Sequence, residues 1–300
     1  MQIRAYRELE EKVIRIFKTE GQFEIGGTAY KVRMVDKPRP SFGECKTDVY
    51  VLGESTSVKK SIELKISVKT SSSNEFQENK VTLERAEAYF GPDWSSIVQR
   101  SCGSIEDRFN KVELVYASGK YPTKPNSITL GWKLEIADKP RNLSAPISLT
   151  EQQVRDYVYK GTNLSPDKKN ASVNNVLVVN SGVANVMLKA EIAELKTTRE
   201  IISKLELIDR MKIKPTYLIF TANNYRTDVD KTDGARSLAV RVDWSVAGNK
   251  LSRKIIFDKP LLYTGKEWKQ NAKDALKQLG KKHPSDMTRA DFVDPSIFLL

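Results

Sequence analysis

A single histidine and only two cysteines in 300 residues remove several common chemistries at once. Cys45 and Cys102 are not in a C-x-x-C spacing, and four His/Cys ligands cannot be assembled, so an ordinary zinc finger or ribbon is excluded. A Ser-His-Asp or Cys-His hydrolase would have to recruit His283, which sits in the polar stretch KKHPSD. The chain has no G-x-x-x-x-G-K-[ST] phosphate loop and no G-x-G-x-x-G fingerprint, which leaves nucleotide-driven and dinucleotide chemistry unsupported. No run approaches the ~18 apolar residues of a membrane span. The opening MQIRAYRELEEK has no apolar core of the kind a signal peptide carries. Sparse cysteine fits a reducing compartment, so the expectation is a soluble, cytoplasmic protein with its cysteines used as packing residues.

What the chain has is positive charge. Fifty Lys and Arg against 38 Asp and Glu give a net charge of +12. Such a surplus favours a polyanionic partner, nucleic acid or an acidic membrane face. The hydrophobic fraction of 39% belongs to a globular fold, not a disordered one. A chain of this length needs no disulfide or structural metal to bury a core.

Periodicity predicts a helix over residues 3–18, with Tyr6, Leu9, Val13, Ile16 and Phe17 on one face, stopped by Gly21. A hairpin follows at 22–25 and 29–35, around a Gly26-Gly27 turn. Strands are predicted at 47–52 and 61–69, the second alternating Ile62, Leu64, Ile66 and Val68 with Glu63, Lys65, Ser67 and Lys69. These two strands should form a hairpin with one packed face and one open face. Residues 71–80 read as a polar loop or helix entry. Further helices are predicted at 83–89, 95–100, 150–159, 197–210 and 268–279, with strands at 112–116, 128–136, 175–179, 217–221, 238–244 and 254–257. Residues 138–146 look like a linker, and 161–173 and 223–236 like polar loops. Without strict alternation of strands and helices, the fold class is α/β of the mixed α+β kind.

The face of the predicted hairpin that carries Asp48 also carries Glu63, Lys65, Ser67 and Lys69. A carboxylate facing a second acid and a lysine is the minimal equipment for metal-assisted phosphodiester hydrolysis. The acids and a backbone carbonyl hold a hard cation such as Mg²⁺. The cation polarises the phosphate and acidifies water, while the lysine orients that water or offsets the developing charge. The same alternation also fits a solvated sheet face with cross-strand ion pairs.

The stretches FGECKTDVYV and ISVKTSSSNEFQEN resemble the PD-(D/E)XK nuclease superfamily, in particular its type II restriction-endonuclease members, over roughly residues 5–90. The resemblance implies a restriction-endonuclease-like core, a central mixed sheet flanked by helices, with additional C-terminal α/β elements. It implies a catalytic core at 1–145 and a DNA-recognition or oligomerisation region at 146–300, continuous with it or separate. It further implies Mg²⁺, replaceable by Mn²⁺, as cofactor, double-stranded DNA as partner, and a homodimer. Asp48 matches the family's metal-binding aspartate and Lys69 its lysine; Val68 would offer its carbonyl to the metal. The sequence departs from the family at Ser67, where an acid is usual two positions before the lysine. Either the motif is Glu63-Leu64-Lys65, or the acid has moved to Glu78, carried by a following helix. Glu10, on the first helix, is a further possible ligand.

For DNA contacts, Asn74 and Gln77 follow the motif. Asn224, Arg226 and Arg236, with Asn223 and Tyr225 alongside, lie in a predicted loop. Arg253 and Lys254 belong to a region, 249–282, with ten Lys and Arg against three Asp and Glu, interleaved with Tyr263 and Trp268. Competing expectations are a nucleic-acid-binding protein of the same fold without catalysis, and a basic interaction protein.

Overall fold

The computed structural model describes residues 2–55, 57, 59–71 and 77–300, with the side chains of residues 2–6, 77, 79 and 80 left aside. The chain forms two compact units, neither continuous in sequence: residues 1–76, 88–91 and 149–214 make the first, and 77–87, 92–148 and 215–300 the second. The expected division at 145/146 falls near one crossing between units. Yet neither half of the sequence is a unit, because each unit recruits segments from both halves.

The first unit begins with helix α1 (Gln2–Glu20). Its buried stripe, Leu9, Val13, Ile16 and Phe17, has the helical spacing expected of a core-facing surface. Gly21 ends it in the left-handed conformation (φ 66°), donating its N–H to the Phe17 carbonyl. Strands β1 (Gln22–Ile25) and β2 (Thr28–Asp36) are joined through Gly26 and Gly27, both at positive φ, as a tight two-residue hairpin requires. Then come β3 (Val49–Ser55) and β4 (Ser61–Lys69), antiparallel to each other. Beyond β4 the sheet continues with Val186–Lys189, parallel to it, and Leu205–Leu207, antiparallel. The result is a mixed sheet whose Val49, Val51, Leu64, Ile66, Val68, Val186 and Leu188 share a core with α1.

The other face of the β3/β4 hairpin is not the open face expected from alternation. Tyr50 is 1% exposed and Ser67 only 4%. Polar groups on that face must therefore find partners in the protein.

The second unit is built around Ser127–Ala137, a strand buried along its whole length. Its apolar side (Ile128, Leu130, Trp132, Leu134, Ile136) alternates with a polar side that includes Thr129, Lys133 and Glu135. Tyr217–Arg226 and Leu238–Ala247 flank it, and Lys250–Ile256 pairs with the latter. Gln77–Val81 joins the same strand, so the expected loop or helix entry here is a strand. The helix Gly265–Gln278 starts on a Thr264/Glu267 capping box.

Three further expectations are corrected. The predicted helix 197–210 stops at Ser203, since Leu205–Leu207 is taken into the sheet. The predicted loop 223–236 is strand through Arg226. The linker 138–146 is no linker: Ser144–Pro146 pairs with Tyr217–Arg226 inside the second unit. The class is mixed α+β. No described helix is long and apolar enough to cross a membrane. Cys102 is buried and Cys45 half-buried, both free thiols that pack as expected.

Candidate functional site

Asp48 is positioned by backbone bonds on both sides of it. Just before it, the N–H groups of Lys46 and Thr47 both donate to the Gly182 carbonyl, at 3.0 and 3.3 Å. A Cβ on Gly182 would lie 1.9 Å from the Lys168 carbonyl oxygen, so only glycine allows this approach. Asp48 N–H then donates to the Ile66 carbonyl at 2.8 Å, and the Val68 N–H donates to Asp48 Oδ2 at 2.7 Å. Asp48 stands at the entry to β3, one residue before the Val49↔Ile66 pair, with its carboxylate turned to the Val68 backbone. Asp48 and Lys69 thus meet at one end of the hairpin.

The electrostatics of this strand end are crowded. Burial pushes the Asp48 carboxyl up, Lys69 and the Val68 N–H pull it down, and nearby Glu10 pushes it up again, to about 6. Glu10 arrives from α1 and accepts an ion pair from Lys37 Nζ at 2.5 Å. Lys37 is partly buried, which disfavours its charge. Its bond to Glu10 and the fields of Glu10, Asp48 and Glu44 outweigh this and hold its pKa above the usual lysine range. Cys45 is pushed up to about 11 by burial and by Asp48, so its thiol is no nucleophile at neutral pH.

Glu63 and Lys65 lie elsewhere on the strand. Glu63 pairs with Leu52, four positions along the chain from Asp48. At ~3.3 Å per residue that is about 13 Å along the sheet from Asp48. Its carboxylate accepts the Tyr50 hydroxyl at 2.5 Å and stands 3.7 Å from Lys65. One ion cannot be shared across that distance, so Glu63 is not the second acid of an Asp48 site, and the Glu63-Leu64-Lys65 register falls with it. This local trio is a cross-strand polar cluster, with Asn185 bonded to the Lys65 N–H and the Glu63 carbonyl behind it. Glu78 is carried by a strand of the second unit, where it pairs with Ile136, instead of by a helix. Among the described residues of the first unit, the carboxylate whose field acts on Asp48 is Glu10.

Lys37 escaped the sequence reading. It follows β2 directly, and the Asp36↔Tyr50 pairing places it beside the start of β3. That pairing is shifted by an irregularity between Val32 and Met34, which no alternation pattern reveals.

Among the described residues no three His, Cys, Asp or Glu side chains converge into a metal-holding group. Magnesium commonly uses only one or two carboxylates and keeps several waters. Asp48 and Glu10 fit that limited demand. The Val68 carbonyl fits too, because a strand residue aims its N–H and C=O toward the same side, and the Val68 N–H reaches Asp48.

Most expected DNA contacts are engaged in the fold. Asn224 is 4% exposed, bonded to Thr129 and to Asp233, and unavailable to a base. Asn223 is fully buried, and the Tyr225 hydroxyl is bound to Asp230. Arg236 pairs with Glu135 at 3.1 Å. Arg253 is held by Asn110 and Asp294. Arg226 is half-buried, its Nε enclosed with no partner among the described residues. Tyr263 and Trp268 lie against the Arg241 guanidinium, at 4.7 and 4.5 Å, and so are not open stacking platforms. Lys254 alone of the proposed arginine and lysine contacts is exposed, as are its neighbours Lys250, Lys259 and Lys266. Asn74 lies outside the described residues, and Gln77 is described only as backbone of its strand.

Comparison of the chain with protein-family models, with curated proteins and with solved structures gives no match.

Proposed function

We propose that this protein is a metal-dependent endonuclease of double-stranded DNA, with a restriction-endonuclease-like core in its first unit. The observation that supports this best is the meeting of Asp48, Lys69 and Glu10 at one strand end, with the Asp48 carboxylate fixed by the Val68 N–H. Asp48, Glu10 and the Val68 carbonyl would hold Mg²⁺, or Mn²⁺ in its place. When bound, such a cation polarises the scissile phosphate and acidifies water. Lys69 orients the attacking water and offsets the negative charge that builds on the phosphoryl oxygens. Water adds to phosphorus, the bridging P–O bond breaks, and a phosphate monoester and a hydroxyl end result. The exposed lysines of Lys250–Ile256 and its surroundings supply phosphate contacts in the second unit.

Sequence-specific cutting by a cytoplasmic homodimer is the form of this activity we favour. Incubation with plasmid and phage DNA in Mg²⁺, with EDTA controls, tests it. Discrete fragments are expected; a smear would mean a nonspecific nuclease, and a folded protein inert on all DNA and RNA would refute the proposal. Asp48→Ala and Lys69→Ala should each reduce cutting at least 100-fold, on the scale of losing a transition-state charge stabiliser. DNA retention should persist in both, and Lys65→Ala should cut normally. A second reading, a catalytically silent DNA-binding protein, draws on Ser67, a buried serine two positions before Lys69 where the resemblance calls for an acid. It predicts retention without cleavage in the unmodified protein.

A further inference from the structure

An ion pair between Lys37 and Glu10 occupies one of the two carboxylates beside Lys69. It joins the end of β2 to α1 at 2.5 Å, with the Glu10 side chain only 14% exposed. Glu10 is therefore locked onto a cation before any metal arrives. Around the same ammonium lie the fields of three carboxylates, Glu10, Asp48 and Glu44. Lys69 adds a second positive charge beside Asp48. The first unit thus keeps its acids neutralised with its own lysines at the place where a divalent ion would sit.

We propose that the Lys37 ammonium is the resident counter-charge of the Asp48–Glu10 pair and competes with a divalent cation for it. The inference rests on the reading of Asp48 and Glu10 as cation ligands, but not on what the loaded protein then cuts. The Glu10 oxygen that holds the Lys37 ammonium is closed to a metal until the lysine leaves it, which removes bidentate binding. At a few ångströms a +1 charge also repels a +2 ion even at a protein-surface dielectric. Both effects weaken cation binding in the free protein. Both are relieved if the lysine swings toward a phosphate, an anion it can reach through its flexible, partly exposed stem. Lys37 is on this account a positioning residue: it makes tight cation binding depend on the phosphodiester being present.

The test is Mn²⁺ binding to the full chain, followed by loss of the free-ion EPR signal and by calorimetry, without DNA. Lys37→Gln keeps a hydrogen-bond donor for Glu10 but removes the charge; Lys37→Ala removes both. Each should bind Mn²⁺ about ten-fold more tightly than the unmodified protein, a shift of the size that one nearby charge commonly produces. The gain should vanish when Asp48→Asn is added. Addition of a short uncleavable duplex should tighten Mn²⁺ binding in the unmodified protein more than in Lys37→Gln. Unchanged or weaker Mn²⁺ binding in both variants, with their folds verified by circular dichroism, would overturn the proposal. So would the absence of Mn²⁺ binding in all of them. Tighter binding by Lys37→Gln in a protein that cuts nothing would leave the competition standing and remove the nuclease. DNA cleavage in Mn²⁺ with no effect of Lys37 on affinity would do the reverse.

Discussion

At the scale of single residues, Asp48 carries a cost that its neighbours only partly offset. Its carboxyl is raised from an ordinary 3.8 to about 6. The folded state thus holds a proton that the unfolded chain has already released between those two values. Stability from this group is present below about pH 4, declines as pH rises through the window, and is lost above about pH 6. Asn cannot ionise and keeps an acceptor for the Val68 N–H. In EDTA, Asp48→Asn should therefore be more stable than the unmodified protein at pH 7.5, by about 1–3 kcal/mol at 1.36 kcal/mol per pKa unit. The difference should disappear near pH 4 in denaturant titrations. A site that weakens the resting fold is what a group retained for chemistry is expected to do.

How much of this was legible in the sequence depends on what fixes each residue. Asp48 and Lys69 could be paired because alternation and one short hairpin set their faces, and β4 occupies the residues that the pattern predicted. The choice between Glu63 and the other acids could not be made, because alternation gives the face but not the position along it. The register of β3 against β4 supplies that position. Arginines and asparagines drawn as DNA contacts were indistinguishable, in sequence, from those that satisfy buried polar groups. Arg253 and Lys254 are adjacent, yet one is anchored to Asn110 and Asp294 while the other is exposed. Arg253→Ala should lower stability by about 2–3 kcal/mol, since it leaves those partners unpaired. Lys254→Ala should leave stability unchanged and flatten the salt dependence of DNA binding by about one counterion. Melting curves beside binding isotherms at several salt concentrations separate the two.

At the scale of elements, the β2–β3 junction shows packing that no pattern announces. A Cβ on Gly53 would come within 2.5 Å of the Phe23 ring, which is stacked on Tyr30 and edge-on to Phe17. The ring has no room to retreat, so Gly53→Ala should destabilise the first unit by about 1–3 kcal/mol, read as a shifted denaturation midpoint. The same strand pair contains the irregularity that brings Lys37 to Asp48. Helix α1 was readable because its stripe is continuous. The run 197–210 was misread because its apolar residues serve first a helix and then a strand edge, and local propensity gives way to the neighbouring Val186–Lys189.

At the scale of the whole molecule, charge does not single out one unit. Each carries 25 Lys and Arg and 19 Asp and Glu, so the surplus is +6 in both. The basic stretch 249–282, expected as a phosphate-tracking surface, lies in the second unit. Four of its ten positive charges are spent within the second unit: Lys269 and Lys273 on Asp230, Lys281 on Asp291, and Arg253 on Asp294.

The parallel joining of β4 to Val186–Lys189 bears on how the protein is made. Emerging from the ribosome, the first unit has α1 and β1 through β4 early, but β4 lacks its far neighbour until more than a hundred further residues have followed. In that interval Ile66 and Val68 line a strand with one open edge, an invitation to pair with a second nascent chain. Residues 77–148, nearly all of which belong to the other unit, are synthesised during the wait. A pulse of synthesis arrested before residue 186 should yield chains that bind chaperones or aggregate. Release of the full chain, in which Val186–Lys189 has joined β4 and strands 217–256 have covered Ser127–Ala137, should yield chains that no longer do.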